Sequence, residues 1–218
     1  MKKVISFLED LQLNNNRDWF QKNKMRYDEA KQEMEAFVNA VIPEIALFDD
    51  SVRFVTAKEC LFRIFRDVRF SKDKAPYKIN MGAWITRSGR KSCGPGYYVH
   101  IQPEGSFLSG GVYMPDPDTL KNIRKEVYYN VEEFKAIMNG KSFKKYFTGL
   151  DDMDRAKLAP RDFPKDFPDV ELLKNRHFTS SHPLTEKVIQ SPGFPEYVIR
   201  VFQAMLPLNA FLGRGISG

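Results

Sequence analysis

The residues from 63 to 87, "RIFRDVRFSKDKAPYKINMGAWITR", combine basic side chains, carboxylates and aromatic rings in one short stretch. The planar guanidinium group of arginine matches phosphate and carboxylate through two parallel hydrogen bonds, and a neighbouring aspartate can hold that group in position. The sequence therefore predicts a site for an anionic small molecule, with phosphate-bearing ligands as the leading class. The predicted ligand-binding residues are Arg63, Arg66, Asp67, Arg69, Lys72, Lys74, Tyr77, Lys78, Trp84, Tyr98 and His100.

The segment "LFRIFRDVRF", residues 61–70, alternates with the period of two that is typical of a β-strand. As a strand it would place Arg63, Asp67 and Arg69 on one face. Arg66 is the exception, because it falls on the otherwise apolar face, and a buried arginine needs a carboxylate partner. The alternative interpretation of the stretch is therefore a structural ion-pair network. The apolar face of this strand would consist of Phe62, Ile64, Val68 and Phe70.

Three further runs alternate in the same way, at residues 78–86, 97–102 and 106–114. Four strands joined by turn-rich loops predict an antiparallel meander with one apolar face and one mixed face. Neighbouring strands would add Trp84, Tyr98 and His100 to the face that carries the charged side chains. The rings of Tyr77, Trp84 and Tyr98 could then stack on a base or a sugar.

Helical spacing of apolar residues flanks these strands on both sides, which predicts an α+β fold. We predict a single domain over residues 1–218: a largely antiparallel sheet of four or more strands, with N-terminal and C-terminal helices packed on it. Pro43 and Pro207 are expected to kink or interrupt the helices that contain them. The predicted segments are 1–50 helical, 52–115 strand-rich, and 116–213 mostly helical with an irregular stretch at 141–168.

The net charge, the number of cysteines and the length of the apolar runs limit the classes of function. A net charge of +6, from 34 basic and 28 acidic residues, permits anionic partners without requiring them. Cys60 and Cys93 are too few for a secreted disulfide framework and form no CxxC pair. Acidic residues close to the start break any signal-peptide pattern, and no apolar run approaches the ~20 residues of a membrane span. These features predict a cytoplasmic protein without a membrane partner.

Several strings of the sequence carry a family resemblance. "RDWF", then "RIFRDVRFSKDKAPYK", then "GYYVHIQPEGSFLSGGVYMP" followed by a helix with "IRKEV", resemble the bacterial family catalogued as domain of unknown function 2461. The resemblance extends over nearly the whole chain, and the "RD-x-RFSKDK-x-PYK" string is its most specific part. It implies one full-length domain and directs attention to the same charged stretch. It brings no catalytic residues with it.

Three alternative functions are kept beside anion binding. The first is a nucleic-acid-binding module that uses the basic sheet face, and it predicts an affinity that falls steeply with salt. The second is metal-assisted hydrolysis by Asp67, Asp73 and His100, although the three histidines follow no zinc-binding spacing. The third is a structural or partner-binding protein. The sequence assigns no cofactor, no metal and no oligomeric state, and it leaves open whether a bound ligand is transformed.

Overall fold

Three helices form the N-terminal part of the protein, whose computed structural model describes residues 1–217. The side chain of Asn16 caps the second of them, because it accepts a hydrogen bond from the backbone N–H of Trp19 at 2.9 Å. The third continues through Pro43, so this proline does not interrupt the helix. These helices are α1 (Lys2–Leu13), α2 (Arg17–Lys22) and α3 (Lys24–Ala46).

The first predicted strand is not a strand. After a short helix, α4 (Ala57–Cys60), residues 61–78 form a loose hairpin with only isolated bridges, Leu61 to Ala83 and Phe65 to Tyr77. Pro76 accepts a hydrogen bond from the N–H of Arg66 at 2.9 Å. Since proline has no N–H to donate in return, the ladder cannot continue beyond it.

The sheet consists of four antiparallel strands in the order β1-β2-β3-β4, which confirms the α+β fold class. The first three coincide with runs that were predicted as strands, although β2 begins one residue before its run. The fourth lies inside the segment predicted to be mostly helical, where no strand was predicted. The strands are β1 (Met81–Ile85), β2 (Gly96–Ile101), β3 (Phe107–Val112) and β4 (Phe178–Pro183).

A long closing helix packs against the sheet and continues through Pro207, contrary to the predicted interruption. Pro207 is exposed, whereas Met205 and Leu208 on either side of it are fully buried. Packing of these neighbours therefore outweighs the unfavourable helix propensity of proline. The C-terminal helices are α5 (Pro117–Tyr129), α6 (Val131–Asn139), α7 (Lys141–Lys144), α8 (Val170–Leu173), α9 (Glu186–Ile189) and α10 (Phe194–Ser217).

The two faces of the sheet have different side chains. On the inner face Tyr97, Val99 and Leu108 are fully buried in the hydrophobic core. The opposite face carries aromatic and small polar residues, and it forms the floor of a pocket. Among the helices described here, none has both the length and the apolar composition needed to cross a membrane.

Candidate functional site

A cleft of about 610 Å³ opens between helix α3, helix α4 and the loose hairpin. We call it the basic cleft, because six cationic side chains and a single carboxylate, Glu35, contribute to its lining. Glu35 is also the ion-pair partner of Lys31, at 3.4 Å. The cations are therefore in large excess, which makes the cleft complementary to an anion. They are Lys31, Lys58, Arg63, Lys78, Arg90 and Lys91.

Arg63 and Lys78 lie side by side in the basic cleft. The backbone N–H of Lys78 donates to the carbonyl of Ile64 at 2.8 Å, which places Lys78 across the hairpin from the residue that follows Arg63. Burial lowers the pKa of Lys78, and the positive charge of Arg63 lowers it further. Within residues 1–217, neither side chain has a carboxylate oxygen within 4.0 Å. The Asp67 carboxylate, whose pKa Arg63 also lowers, is bound by Arg69. Two neighbouring cations without a carboxylate within 4.0 Å favour the binding of an anion.

Arg90 contributes to the rim of the basic cleft, and hydrogen bonds to backbone carbonyls hold its guanidinium group in place. Its Nη1 donates to the carbonyls of Lys58 and Glu59 at 2.8 and 2.9 Å, which fixes the 3₁₀ turn Gly89–Lys91 against the end of α4. This close approach needs glycine at position 89, where φ is +62° and a Cβ would lie 2.6 Å from the carbonyl oxygen of Glu59. In the described part of the chain Nε and Nη2 of Arg90 have no acceptor, so they can donate to a ligand.

A second cavity, of about 500 Å³, lies over the outer face of the sheet, and we call it the sheet-face pocket. The strand register places Trp84 opposite Tyr98, Tyr98 opposite Ser109, and Ser109 opposite Ser181. These four side chains form a row across the floor of the pocket. The remaining lining residues are Phe62, Arg90, Ser92, His100, Phe107, Tyr113, Asp151, Met153 and Thr179.

His100 is part of a hydrogen-bonded chain along β2. Its Nε2 lies 2.9 Å from Oε1 of Gln102, and its Nδ1 lies 3.0 Å from the hydroxyl of Tyr98. Burial lowers the pKa of His100 and raises the pKa of Tyr98 to about 12. Both groups are therefore neutral at pH 7. The neutral imidazole donates from Nε2 to Gln102 and accepts at Nδ1 from the Tyr98 hydroxyl.

Replacing His100 with glutamine is expected to reduce the loss of stability in mild acid. The unfolded chain takes up a proton at His100 below about pH 6.5, whereas the folded protein resists it because burial lowers the pKa. Wild-type stability should therefore fall from pH 6.5 to 5.0 by up to about 1 kcal/mol more than that of the His100→Gln variant. Urea unfolding at each pH measures both curves. Parallel curves would contradict the expectation.

The structure divides the predicted site residues among four places: the basic cleft, the sheet-face pocket, the hairpin and the core. Arg63 and Lys78 line the basic cleft, while Trp84, Tyr98 and His100 line the sheet-face pocket. The expectation that the last three share one sheet face is confirmed by the strand register. The expectation that Arg63, Asp67 and Arg69 share a strand face is wrong, since no strand forms there.

The remaining charged residues of the prediction lie in the hairpin, and all but Lys72 make contacts within it. Arg69 binds Asp67 through Nε at 3.0 Å and Nη2 at 2.7 Å, and these bonds lower the pKa of Asp67. Arg66 pairs with Asp73, as its predicted need for a carboxylate requires, but the pair is partly exposed and forms no buried network. The other two predicted lysines also belong to the hairpin: Lys74 donates to the carbonyl of Val68 at 3.0 Å, and Lys72 is exposed.

Tyr77 packs in the core and not in either cavity. Its ring is 3% exposed and stacks on Phe20 with 4.0 Å between ring centroids. Asn15 holds the backbone on both sides, donating to the carbonyl of Tyr77 at 3.0 Å and accepting from its N–H at 3.1 Å. Tyr77 therefore positions the hairpin segment that leads to Lys78, and its ring is not open for stacking on a ligand.

Sequence reasoning missed the residues that reach the two cavities from distant segments. The cations of α3, α4 and the 3₁₀ turn have no local pattern that marks them. In β4 the alternation of Thr179 and Ser181 with Phe178 and Ser180 was a usable strand signal, although weak because the side chains are small. The missed residues are Lys31, Lys58, Arg90, Lys91, Ser109, Asp151, Thr179 and Ser181.

The three residues proposed for metal-assisted hydrolysis do not come together. Asp67 is bound by Arg69 and Asp73 by Arg66, while His100 lies on the sheet. Over residues 1–217, the structure brings no three histidine, cysteine or acidic side chains into a group that could hold a metal ion.

Comparison with known proteins gives one result. No curated protein and no solved structure matches the chain. A family model described as "Conserved hypothetical protein (DUF2461)" matches residues 3–211, which includes both cavities and every strand. The chain therefore belongs to the DUF2461 family of conserved hypothetical proteins.

Proposed function

We propose that the protein binds a phosphate-bearing or other anionic small molecule in the basic cleft. The observation that carries this proposal is the pair formed by Arg63 and Lys78, two adjacent cations without a carboxylate partner in the described chain. Arg66 and Arg69 of the same hairpin are each paired with an aspartate, whereas Arg63 and Lys78 are not, and Lys78 is also partly buried beside Arg63. The unpaired charge at Arg63 and Lys78 is best satisfied by a ligand.

The two cations would contribute in different ways. Arg63 offers the planar fork that binds two oxygens of a phosphate or carboxylate at once. Lys78 offers a single charge that is partly withdrawn from water, where electrostatic attraction is stronger than at an open surface. A bound anion would also restore the pKa of Lys78 towards its usual value, because it would offset both the burial and the repulsion from Arg63.

We also propose a cytoplasmic location. Its support is the cysteine chemistry: Cys60 is buried, Cys93 is exposed, and both are free thiols. An exposed free thiol persists most readily in a reducing compartment.

Calorimetric titration with inorganic pyrophosphate tests the proposed anion site. The wild-type protein should bind this compact probe, and Arg63→Gln should weaken binding by about tenfold or more, because the loss of one charged hydrogen-bond donor costs about 1.5–3 kcal/mol. Arg69→Gln is the matched control, since Arg69 is an exposed arginine already paired with Asp67. It should leave the affinity within about twofold.

Two outcomes would contradict the proposal. Absence of pyrophosphate, phosphate and citrate binding would remove the anion site. Equal losses in Arg63→Gln and Arg69→Gln would show a diffuse effect of net charge instead of a defined cleft. A titration with single-stranded RNA at several salt concentrations belongs to the same series, because strong binding with a steep salt dependence would favour the nucleic-acid alternative.

A further inference from the structure

The sheet-face pocket adjoins the basic cleft. Phe62 and Arg90 line both cavities, so a ligand anchored among the cations can extend directly over the outer face of the sheet. The ring of Phe62 marks the boundary. The Lys78 ammonium lies 5.5 Å from its centroid on the cleft side, and Tyr98 meets it edge-on with 6.2 Å between centroids on the pocket side.

The walls of the sheet-face pocket are suited to a flat ring. Aromatic side chains surround it, and a volume of about 500 Å³ lies within the usual range of small-molecule sites. Aromatic walls bind planar rings by stacking, with little dependence on which ring is bound. The aromatic residues are Phe62, Trp84, Tyr98, Phe107 and Tyr113.

The polar groups on the floor of the sheet-face pocket determine which hydrogen-bonding groups a ligand must carry. The hydroxyls of Thr179 and Ser181 both donate to Oδ2 of Asp151, at 2.8 and 2.9 Å, and the hydroxyl of Ser109 donates to the carbonyl of Ser180 at 3.0 Å. A carboxylate and a carbonyl can only accept, so the direction of these bonds is fixed.

The hydroxyl of Tyr98 is the fourth that the strands contribute to the pocket, and its proton is also donated within the protein. Neutral His100 donates to Gln102 and can only accept from Tyr98, so the Tyr98 proton is also committed to the protein. The four hydroxyls that β2, β3 and β4 contribute to the pocket therefore have their protons engaged, and what they offer a ligand is oxygen lone pairs. Oδ1 of Asp151 accepts no hydrogen bond in the described chain and is a further acceptor.

From this arrangement we propose that the ligand is an anion joined to a planar, nitrogen-bearing ring with N–H donors, such as an aminopurine or aminopyrimidine. The ring would lie in the sheet-face pocket with its N–H groups towards the acceptors of the floor. The anionic group would lie between Arg63, Lys78 and Arg90. This inference rests on the proposed anion site and names the class of molecule that the site takes.

Four probes separate the two proposals: pyrophosphate, ribose 5-phosphate, purine riboside 5′-monophosphate and adenosine 5′-monophosphate. Ribose 5-phosphate carries only the sugar phosphate. Purine riboside 5′-monophosphate adds a planar ring to it, and adenosine 5′-monophosphate adds an exocyclic amine to that ring. We expect the ring to raise affinity about tenfold over ribose 5-phosphate, and the amine to raise it again by about fivefold. Ring-bearing probes that bind no tighter than ribose 5-phosphate would overturn the inference.

A pair of phenylalanine variants locates the ring. Phe62 and Phe70 are both exposed and belong to the same hairpin, at 40% and 96% exposure, but only Phe62 lines the cavities. Phe62→Ala should lower the affinity for adenosine 5′-monophosphate about tenfold more than it lowers the affinity for pyrophosphate, whereas Phe70→Ala should change neither affinity. Equal adenosine 5′-monophosphate affinities in the two variants would contradict the placement of the ring.

The two proposals fail in different ways. If pyrophosphate binds and depends on Arg63 while the ring adds nothing, the anion site stands and the ring inference fails. If no anion binds, the proposed function fails with it. If the unmodified purine ring binds as tightly as the amine-bearing one, the aromatic walls bind the ring and the proposed role of the floor acceptors is wrong.

Discussion

Substituting Gly111 with alanine is expected to destabilise the protein by about 3 kcal/mol or more, which is the largest effect we expect on the fold. Gly111 has φ of +109°, a conformation that side chains rarely adopt, and a Cβ there would lie 2.0 Å from the carbonyl oxygen of Phe178. Since that atom is backbone, β4 would have to move away from β3. Thr179 and Ser181 would then shift on the floor of the sheet-face pocket.

Urea unfolding and thermal unfolding of wild type, Gly111→Ala and Gly149→Ala measure this effect. Gly149 is the matched control, because a Cβ at that position meets nothing within 4 Å. The Gly149→Ala midpoint should stay within experimental error of wild type, and the melting temperature of Gly111→Ala should fall by roughly 10 °C. A Gly111→Ala protein as stable as the control would mean that β3 and β4 are not held as closely as the register implies.

The parts of the fold that could be predicted from sequence are those with a strong local pattern. In β2 the large residues Tyr97, Val99 and Ile101 alternate with more polar ones, and the strand lies where this alternation predicts it. In β4 small hydroxyl side chains weaken the same pattern, and the strand was missed. Residues 61–70 alternate more clearly than β4 but form no strand, because their charged side chains pair within the hairpin and Pro76 ends the ladder.

For a related reason, the sequence predicted which residues share the sheet-face pocket but not which elements enclose the basic cleft. A period of two fixes which residues share a sheet face, so the grouping of Trp84, Tyr98 and His100 followed from sequence. The basic cleft depends on how α3 and the 3₁₀ turn Gly89–Lys91 lie against the hairpin. No local pattern encodes that arrangement, which is set by the packing of residues far apart in the chain. Arg63 and Lys78 were found because they belong to the one segment that is unusual by itself.

Replacing Lys78 with glutamate is expected to abolish anion binding without harming the fold. The change removes one cation from the basic cleft and places a carboxylate beside Arg63, which has no such partner in the described wild-type chain. The new carboxylate would compete with the ligand for Arg63 and repel it at the same time. We expect the affinity for pyrophosphate to fall about 100-fold or more, while the free energy of unfolding stays the same or rises by less than about 1 kcal/mol.

The matched control for this variant is Lys72→Glu. Lys72 is an exposed lysine of the same hairpin that lies outside both cavities, so the variant has the same net charge but an intact basic cleft. Its affinity for pyrophosphate should stay within about threefold of wild type at physiological salt, where exposed charges are largely screened. Binding that survives in Lys78→Glu would place the anion elsewhere. Stability that falls together with binding would instead mean that Lys78 supports the hairpin, because a ligand-binding cation can be exchanged without loss of the fold.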